Sequence, residues 1–292
     1  MNKEFNKGLL LAGFGSFWWG FFGVLYFKYI AFIGHIELVI HRCLWTTLTL
    51  IITTFFFSKW NIFFKIIVNK KILISLFISG VLIFLNWSVW IYAIATNRII
   101  DASFGYFIMP IISVMLGYIF FKEKLTKKRI FSIILVCTSV LFLLLINFQS
   151  LPWVGLIVAF SWSFYNLVRK KINIDTGIGL LIESLFILPF ATIIFYIITI
   201  NSYNDFDISK PSLMFLIFLA GPMTVLPLFL YVRGVELCGL GPAGMIFYIT
   251  PSFQFLLGYF YYDEPFSMVK LVSFILIWIA VIIYLKDLYE TN

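Results

Sequence analysis

The sequence has few charged residues. Only 12% of its 292 residues are Asp, Glu, Lys or Arg, and 62% are hydrophobic, compared with about 25% and about 45–50% in ordinary soluble domains. Uncharged stretches run well past the roughly 20 residues that span a bilayer. They are continuously apolar and do not alternate as barrel strands do. This scarcity of charge excludes a soluble globule and predicts an all-α membrane protein, because helices satisfy their own backbone hydrogen bonds in lipid.

Motifs for catalysis and metal binding are also missing. The three cysteines, Cys43, Cys137 and Cys238, stand far apart, so no pair has the spacing of a redox or metal site. The sequence contains no Gly-x-x-x-x-Gly-Lys loop, Gly-x-Ser-x-Gly elbow or His-Glu-x-x-His motif, which argues against direct use of ATP and against a membrane-embedded enzyme. We expect no enzymatic activity, no cofactor and no metal.

The apolar windows predict ten transmembrane helices. The longest window, 130–168, is too long for one crossing and has a polar break at 147–152, so it counts as two. The windows are 8–27, 38–58, 72–97, 102–121, 130–168, 176–204, 211–232, 237–262 and 267–285.

The net charge of +8 comes from short basic clusters between these windows, so no nucleic-acid-binding face is predicted. With both termini in the cytoplasm, sixteen of the 21 Lys and Arg residues lie inside, four lie outside, and Arg42 lies within a span. Basic residues concentrate in cytoplasmic loops. We therefore predict a multi-pass membrane protein with both termini cytoplasmic.

The chain resembles itself at an offset of 141 residues. Segment 110–118 aligns with 251–259, repeating Pro, Leu, Gly and Tyr at equal positions. Two five-helix repeats, 1–148 and 149–292, are predicted. Because each repeat has an odd number of spans, the second copy enters the membrane from the opposite side and is inverted. Inverted repeats are typical of alternating-access transporters. A duplication that serves packing alone is the alternative.

Several motifs resemble those of RarD-type permeases in the EamA family of the drug/metabolite transporter superfamily. They are His41-Arg42 with Trp45, Asn86-Trp87, 102–110, 167–172, 181–183 with Leu188-Pro189, and Gln254 after Tyr248 and Pro251. The resemblance covers essentially the whole chain. It implies ten helices in two inverted halves around a central cavity, a small-molecule substrate and a bacterial inner membrane. Asn166 and Met109 depart from the glycine and asparagine of the family pattern.

Two ionisable residues lie within predicted spans, where charge is costly and therefore a sign of function. Arg42 is predicted to bind a substrate carboxylate. The alternatives are a structural pair with Glu183 or a position at the outer interface. Glu183 is predicted to bind a substrate ammonium or a coupling proton, or to act as a structural counter-ion. His41 is a second candidate for coupling, with a hydrogen-bonded bystander role as the alternative.

Aromatic and polar residues at helical spacing predict the walls of a substrate cavity, with simple packing as the alternative for each of them. Two prolines at equal positions of the repeats, Pro110 and Pro251, are predicted to be hinges, or static bends. The predicted wall residues are Asn86, Trp87, Trp90, Ser103 and Tyr106 on one side and Tyr165, Tyr231, Tyr248 and Gln254 on the other.

The predicted function is a secondary transporter, an exporter or exchanger of amino-acid-like or amphiphilic metabolites or drugs. A proton gradient or the gradient of the substrate drives it, and its oligomeric state stays open. A non-transporting receptor or assembly factor is the main alternative.

Overall fold

The computed structural model describes residues 3–95, 99–147, 153–201, 205–206, 209–261 and 268–291, and their side chains except those of 94–95, 99–104 and 146–147. Every regular element within these residues is a helix. The first half comprises α1 (Lys3–Trp18), a π-helical turn (Trp19–Gly23), α2 (Val24–Tyr29), α3 (His35–Phe56), α4 (Trp60–Ile67), α5 (Lys70–Ala95), α6 (Ile99–Phe121) and α7 (Lys127–Asn147).

The second half of the chain is helical in the same way. It comprises α8 (Trp153–Ile172), α9 (Thr176–Ile200), α10 (Pro211–Phe218), α11 (Ala220–Cys238), α12 (Leu240–Ile246), α13 (Ile249–Tyr261) and α14 (Met268–Thr291).

Eight helical stretches in the described part of the chain are long and apolar enough to cross a membrane. They are Lys3–Tyr29, His35–Phe56, Lys70–Ala93, Lys127–Leu145, Thr176–Ile200, Pro211–Cys238, Leu240–Tyr261 and Met268–Thr291. The described apolar stretch of α6, Gly105–Phe121, is shorter, and α8 ends in three consecutive basic residues. The prediction of an all-α membrane protein is confirmed, whereas the number of ten spans stays a prediction.

The two predicted hinge prolines have different surroundings. Helix α6 continues through Pro110, but the chain breaks between α12 and α13, just before Pro251. Pro251 has no N–H to donate to the carbonyl of Phe247, four residues earlier. That carbonyl instead accepts the N–H of Thr250 at 2.9 Å. Pro110 lacks the same N–H inside a continuous helix, so the proline alone does not break the chain.

Close helix contacts organise the bundle. Helix α1 packs along α11, α8 packs between α5 and α6, α3 packs against α9 and α11, and α7 packs along α14. Small residues allow the backbones to approach: an added Cβ on Gly234 would lie 2.6 Å from the backbone nitrogen of Ala12. Many large hydrophobic side chains remain exposed on the outside, as expected for a surface in contact with lipid.

Helix α4 was not predicted. It lies between α3 and α5, in a segment that the sequence assigns to a basic loop. Trp60 and Phe63 pack against the core, and Ile66 is buried, while Phe64 is exposed. A short helix with one apolar face and a neighbouring basic segment is typical of the membrane interface.

Candidate functional site

A cavity of about 490 Å³, including the open space at its mouth, lies among the π-helical turn, α2, α3, α5, α6, α8, the junction of α12 with α13, and α13. Aromatic rings form most of the wall, with a few polar groups among them. The lining residues are Trp19, Gly23, Val24, Phe27, Arg42, Asn86, Trp87, Trp90, Tyr106, Trp162, Phe247, Thr250 and Gln254.

Arg42 places a buried positive charge on the wall of this cavity. Its side chain is 4% exposed, and its Nε donates to Thr224 Oγ1 at 3.0 Å. The guanidinium carbon lies 4.5 Å from the ring centroid of Trp87 and 4.9 Å from that of Phe27. Among the described residues it has no carboxylate partner. Cation–π contacts offset only part of the cost of burying a charge, so an anionic group of a ligand would complete the site.

Asn86 joins two walls of the cavity. Its side-chain nitrogen donates to the carbonyl of Val158 at 3.0 Å and to Ser161 Oγ at 3.1 Å. Both of these acceptors belong to α8, so the amide fixes α5 against α8. Because both N–H groups are used within the protein, any ligand contact of Asn86 would involve its oxygen.

Six of the predicted binding residues come together at the cavity. They are Arg42, Asn86, Trp87, Trp90, Tyr106 and Gln254. The side chain of Ser103, a further prediction, lies outside the described residues.

Tyr165, Tyr231 and Tyr248 are fully buried and do not line the cavity. The Tyr231 hydroxyl donates to the carbonyl of Ala243 at 3.3 Å, and the Tyr248 hydroxyl donates to that of Phe107 at 2.8 Å. The Tyr231 ring packs against Phe247, which lines the cavity. The prediction that they touch a substrate has no support in this geometry.

Glu183 lies outside the cavity lining and pairs with Arg169, not with Arg42. Its Oε1 is 3.5 Å from Arg169 Nη1 and accepts a hydrogen bond from Ser79 at 2.5 Å. Its Oε2 accepts the Tyr165 hydroxyl at 3.2 Å. The sequence interpretation counted Arg169 among the cytoplasmic loop cations, but its side chain is completely buried. The alternative of a structural Arg42–Glu183 pair is therefore wrong, because Glu183 pairs with Arg169 instead.

His41 also lies away from the cavity. Its Nε2 is 3.2 Å from Glu37 Oε1, and the Glu37 carboxylate accepts the backbone N–H groups of Asp205 and Phe206 at 2.7 and 2.9 Å. The His41 ring packs against Phe195 and Phe206. This arrangement holds residues 205–206 against α3.

The sequence interpretation missed several lining residues. Phe27 and Phe247 are two of 36 phenylalanines, and a residue this common in the sequence does not by itself indicate a binding site. Trp162 could have been found, because it precedes Tyr165 and Arg169 by three and seven residues and so shares their helix face. Within the described residues, no three His, Cys, Asp or Glu side chains are close enough to hold a metal ion.

Comparison with known proteins identifies the family. The profile of the EamA-like transporter family matches residues 6–145 and again residues 151–286. The chain belongs to the EamA-like transporter family. It is 34% identical to Protein RarD of Escherichia coli strain K12, covering 99% of this chain and 97% of that protein. It is 32% identical to the uncharacterized transporter YojE of Bacillus subtilis strain 168, covering 97% and 95%.

A solved crystal structure has the same fold. It aligns with a TM-score of 0.69 over 96% of this chain and 97% of its own length, at 12% identity. The family and the full-length relatives make this chain a RarD-like membrane transporter of small molecules. The names of these proteins indicate a transporter and not an enzyme. The apolar helices and the bacterial relatives indicate a multi-pass inner-membrane protein.

Proposed function

We propose that this transporter is a secondary carrier that moves small amino-acid-like or amphiphilic metabolites, or drugs, across the inner membrane by alternating access. Ten transmembrane helices in two inverted halves, 1–148 and 149–292, surround the cavity, and both termini are cytoplasmic. A proton gradient or the gradient of the substrate supplies the energy.

Arg42, which has no carboxylate partner among the described residues and lies in an aromatic cavity, carries this proposal. A guanidinium can hold a carboxylate through two parallel hydrogen bonds. The rings of Trp87 and Trp90 offer flat apolar surfaces to the rest of the ligand. The site therefore suits a small organic carboxylate with an apolar or aromatic body.

Helix positions support the inverted repeat. Helix α3 begins at His35 and α9 begins at Thr176, which is 141 residues later. Helices α5 and α10, which begin at Lys70 and Pro211, are separated by the same 141 residues. The sequence repeat has this same offset, and the family profile matches the chain twice. Five spans per copy would reverse the direction of the second copy and provide two related states of access.

The position of the cavity suits one of those states. With cytoplasmic termini, α3 begins and α5 ends on the outer side of the membrane. Arg42 is seven residues after the start of α3, and Trp90 is five residues before the end of α5. The cavity then lies nearer the outer surface.

Ligand-induced stabilisation of the purified protein tests the role of Arg42. A ligand that binds only the folded state at 100 times its Kd stabilises that state by about 2.7 kcal/mol. Small carboxylates that raise the melting temperature are compared with their carboxamides, which lack the charge. We expect the carboxamides neither to stabilise the protein nor to be taken up into proteoliposomes. We expect the substitution Arg42→Gln to abolish both the stabilisation by the carboxylate and its uptake. Equal stabilisation and uptake in Arg42→Gln would reject the proposed role of Arg42.

A further inference from the structure

We propose that Arg169, Glu183 and Glu236 form a proton-binding site in which one arginine is shared by two buried carboxylates. This inference rests on the proposed carrier function and makes the proton its coupling ion. Glu183 is the group that binds and releases the proton, with water as the other partner in the transfer.

Glu183 occupies the centre of the cluster. Its side chain is 2% exposed, and it receives hydrogen bonds from Ser79 on α5 and Tyr165 on α8. These hydroxyls can donate hydrogen bonds to the ionised carboxylate and, after rotating, can accept a hydrogen bond from the neutral acid. The site can therefore accommodate Glu183 in both protonation states.

Glu236 competes for the same arginine. Its Oε1 lies 3.6 Å from Arg169 Nη2 and has no hydrogen-bond partner although it is buried. Its Oε2 accepts the hydroxyl of Thr176 at 2.7 Å. Arg169 likewise has Nε and Nη1 without hydrogen-bond partners. The cluster thus has unused donors and an unused acceptor at its centre.

The charges of this cluster are unbalanced in its buried part. Arg169 is completely buried and faces two carboxylates, of which Glu236 is 5% exposed. Arg233 lies 3.0 Å from Glu236 but is 40% exposed, so water screens its charge. One of two carboxylates that share a site is disposed to bind a proton. Arg129 and Asp287 show the contrast, because they form a one-to-one buried pair.

The other groups around Glu183 do not balance the charge. Helix α8 contributes the Tyr165 hydroxyl and α5 contributes Ser79. Asp175, just before α9, also acts on Arg169, but Lys59 Nζ lies 2.7 Å from its carboxylate, so this pair adds no net charge. Gly179 leaves room for the guanidinium, since an added Cβ there would collide with Arg169 Nη1.

Helix α8 links the cluster to the cavity. Trp162 lines the cavity, and its ring is 5.8 Å from that of Tyr165, which donates to Glu183. A proton on Glu183 removes the charge that holds Arg169, so Arg169 is left to Glu236 and α9 loses a contact with α8. A ligand that displaces Trp162 acts on the same helix. The effect of ligand binding on proton binding then equals the effect of proton binding on ligand binding, because coupling between two sites is reciprocal.

Infrared spectroscopy of the full-length protein in nanodiscs measures the proton directly. On titration from about pH 9 to about pH 5, we expect the C=O stretching band of one buried carboxylic acid to grow. Glu183→Gln should abolish this band. In Glu236→Gln, Arg169 is left wholly to Glu183, so the band should appear at a pH lower by about one unit.

The matched control is Asp287→Asn, which removes the carboxylate of the one-to-one pair and should leave the band unchanged. Melting temperatures identify any variant that fails to fold. The proposal is overturned if wild type and Glu183→Gln give the same titration, or if Asp287→Asn abolishes the band instead. The titration needs no substrate, so its failure leaves the carrier function intact and removes only the proton site.

Discussion

Two buried arginines in this chain have opposite electrostatic surroundings. Arg42 lies between the rings of Trp87 and Phe27 with no carboxylate beside it in the described part of the chain. Arg169 lies between the carboxylates of Glu183 and Glu236. In the proposals made above, a ligand neutralises the charge of Arg42 and a proton neutralises one carboxylate beside Arg169. The proposed substrate and proton sites are separated in space but joined through α8.

Asp175 stabilises the start of α9 from outside the membrane-spanning helix. It accepts hydrogen bonds from Lys59 Nζ at 2.7 Å and from the backbone N–H of Ile178 at 3.0 Å. Partial burial alone would raise the pKa of Asp175, but these hydrogen bonds outweigh it and the pKa lies below its ordinary value. Its stabilisation of the folded state is therefore present above the ordinary pKa of about 3.9 and is lost as the pH falls through the folded-state pKa.

We predict that Asp175→Asn lowers the melting temperature at neutral pH by the equivalent of at most about 1 kcal/mol, since the ion pair is partly exposed. The asparagine retains a capping oxygen, so Asp175→Ala should cost about 1 kcal/mol more. Thermal denaturation across pH measures both effects. The difference between wild type and Asp175→Asn should disappear in acid; a difference that persists there would contradict the assigned charge effect.

Residue type and position predicted only part of the site. Arg42 was predictable because a charge inside an apolar window is conspicuous. Arg169 was not, because it begins the basic run Arg169-Lys170-Lys171 at the end of α8, and only its helix phase distinguishes it from loop lysines. Thr224, the hydrogen-bond partner of Arg42, is 182 residues away in the sequence, and no local pattern reports so distant a contact.

At the scale of elements, hydrophobic windows predicted where long helices occur but not where they are interrupted. The break before α12 needs Gly239, whose φ of 104° lies in the left-handed region that favours glycine. The chain also breaks just before Pro251, whereas Pro110 lacks the same N–H inside a continuous helix. Helix α4 was missed because eight residues are too few for a transmembrane signal. Interruptions and short helices depend on single backbone groups, which a hydropathy window averages away.

The crossing of α1 and α11 predicts opposite effects for two glycine substitutions. A Cβ on Gly234 would lie 2.6 Å from the nitrogen of Ala12 and 2.8 Å from the carbonyl oxygen of Gly8, so Gly234→Ala must separate two backbones. We expect a loss of about 1–3 kcal/mol in stability. A Cβ on Gly13 meets only the side chains of Ile246 and Ile249, at 3.7 Å.

Gly13→Ala, on the partner helix α1, is therefore the matched control. It should be neutral or stabilise the protein by up to about 1 kcal/mol, because alanine loses less entropy in a helix. Melting temperatures of both variants in detergent provide the measurement. If Gly234→Ala melted at or above the temperature of Gly13→Ala, the close contact of α1 and α11 would be refuted.

Glu123 connects the loop after α6 to the start of α12. Its two oxygens accept the backbone N–H groups of Leu240 and Gly241 at 2.8 and 2.9 Å, and Lys170 Nζ lies 3.6 Å away. A carboxylate at a helix N-terminus satisfies free N–H groups and interacts favourably with the helix dipole. In the proposed topology this contact joins the two halves on the cytoplasmic side and closes that side.

We predict that Glu123→Ala exposes the start of α12. Loss of the cap, worth about 1–2 kcal/mol, corresponds to amide exchange about 5 to 30 times faster at 240–246. Hydrogen–deuterium exchange with mass spectrometry measures this segment directly. Glu290→Ala, which removes an exposed partner of Lys128, is the control and should not change exchange there. Unchanged protection in Glu123→Ala would show that the contact does not hold α12.

At the scale of the whole molecule, the described contacts differ between the two ends of the bundle. The cavity lies near the start of α3 and the end of α5. The opposite end of the bundle contains the contact of Glu123 with the start of α12 and the buried pair of Arg129 with Asp287. Such an asymmetric arrangement suits one of two states that an inverted pair of halves can exchange. Opening the closed end would require these polar contacts to break.

The proposed inversion of the two halves predicts the side of the membrane on which equivalent loops lie. The loop after α3 and the loop after α9 follow helices that begin 141 residues apart. The first is next to Lys59, Lys65, Lys70 and Lys71 and should be cytoplasmic by the positive-inside rule. Fusions after Ser58 should thus fluoresce with a green fluorescent protein reporter and lack alkaline phosphatase activity, and fusions after Asn201 should do the reverse. The same reporter active at both sites would mean that the copies are parallel, and alternating access through inverted halves would then have no structural basis.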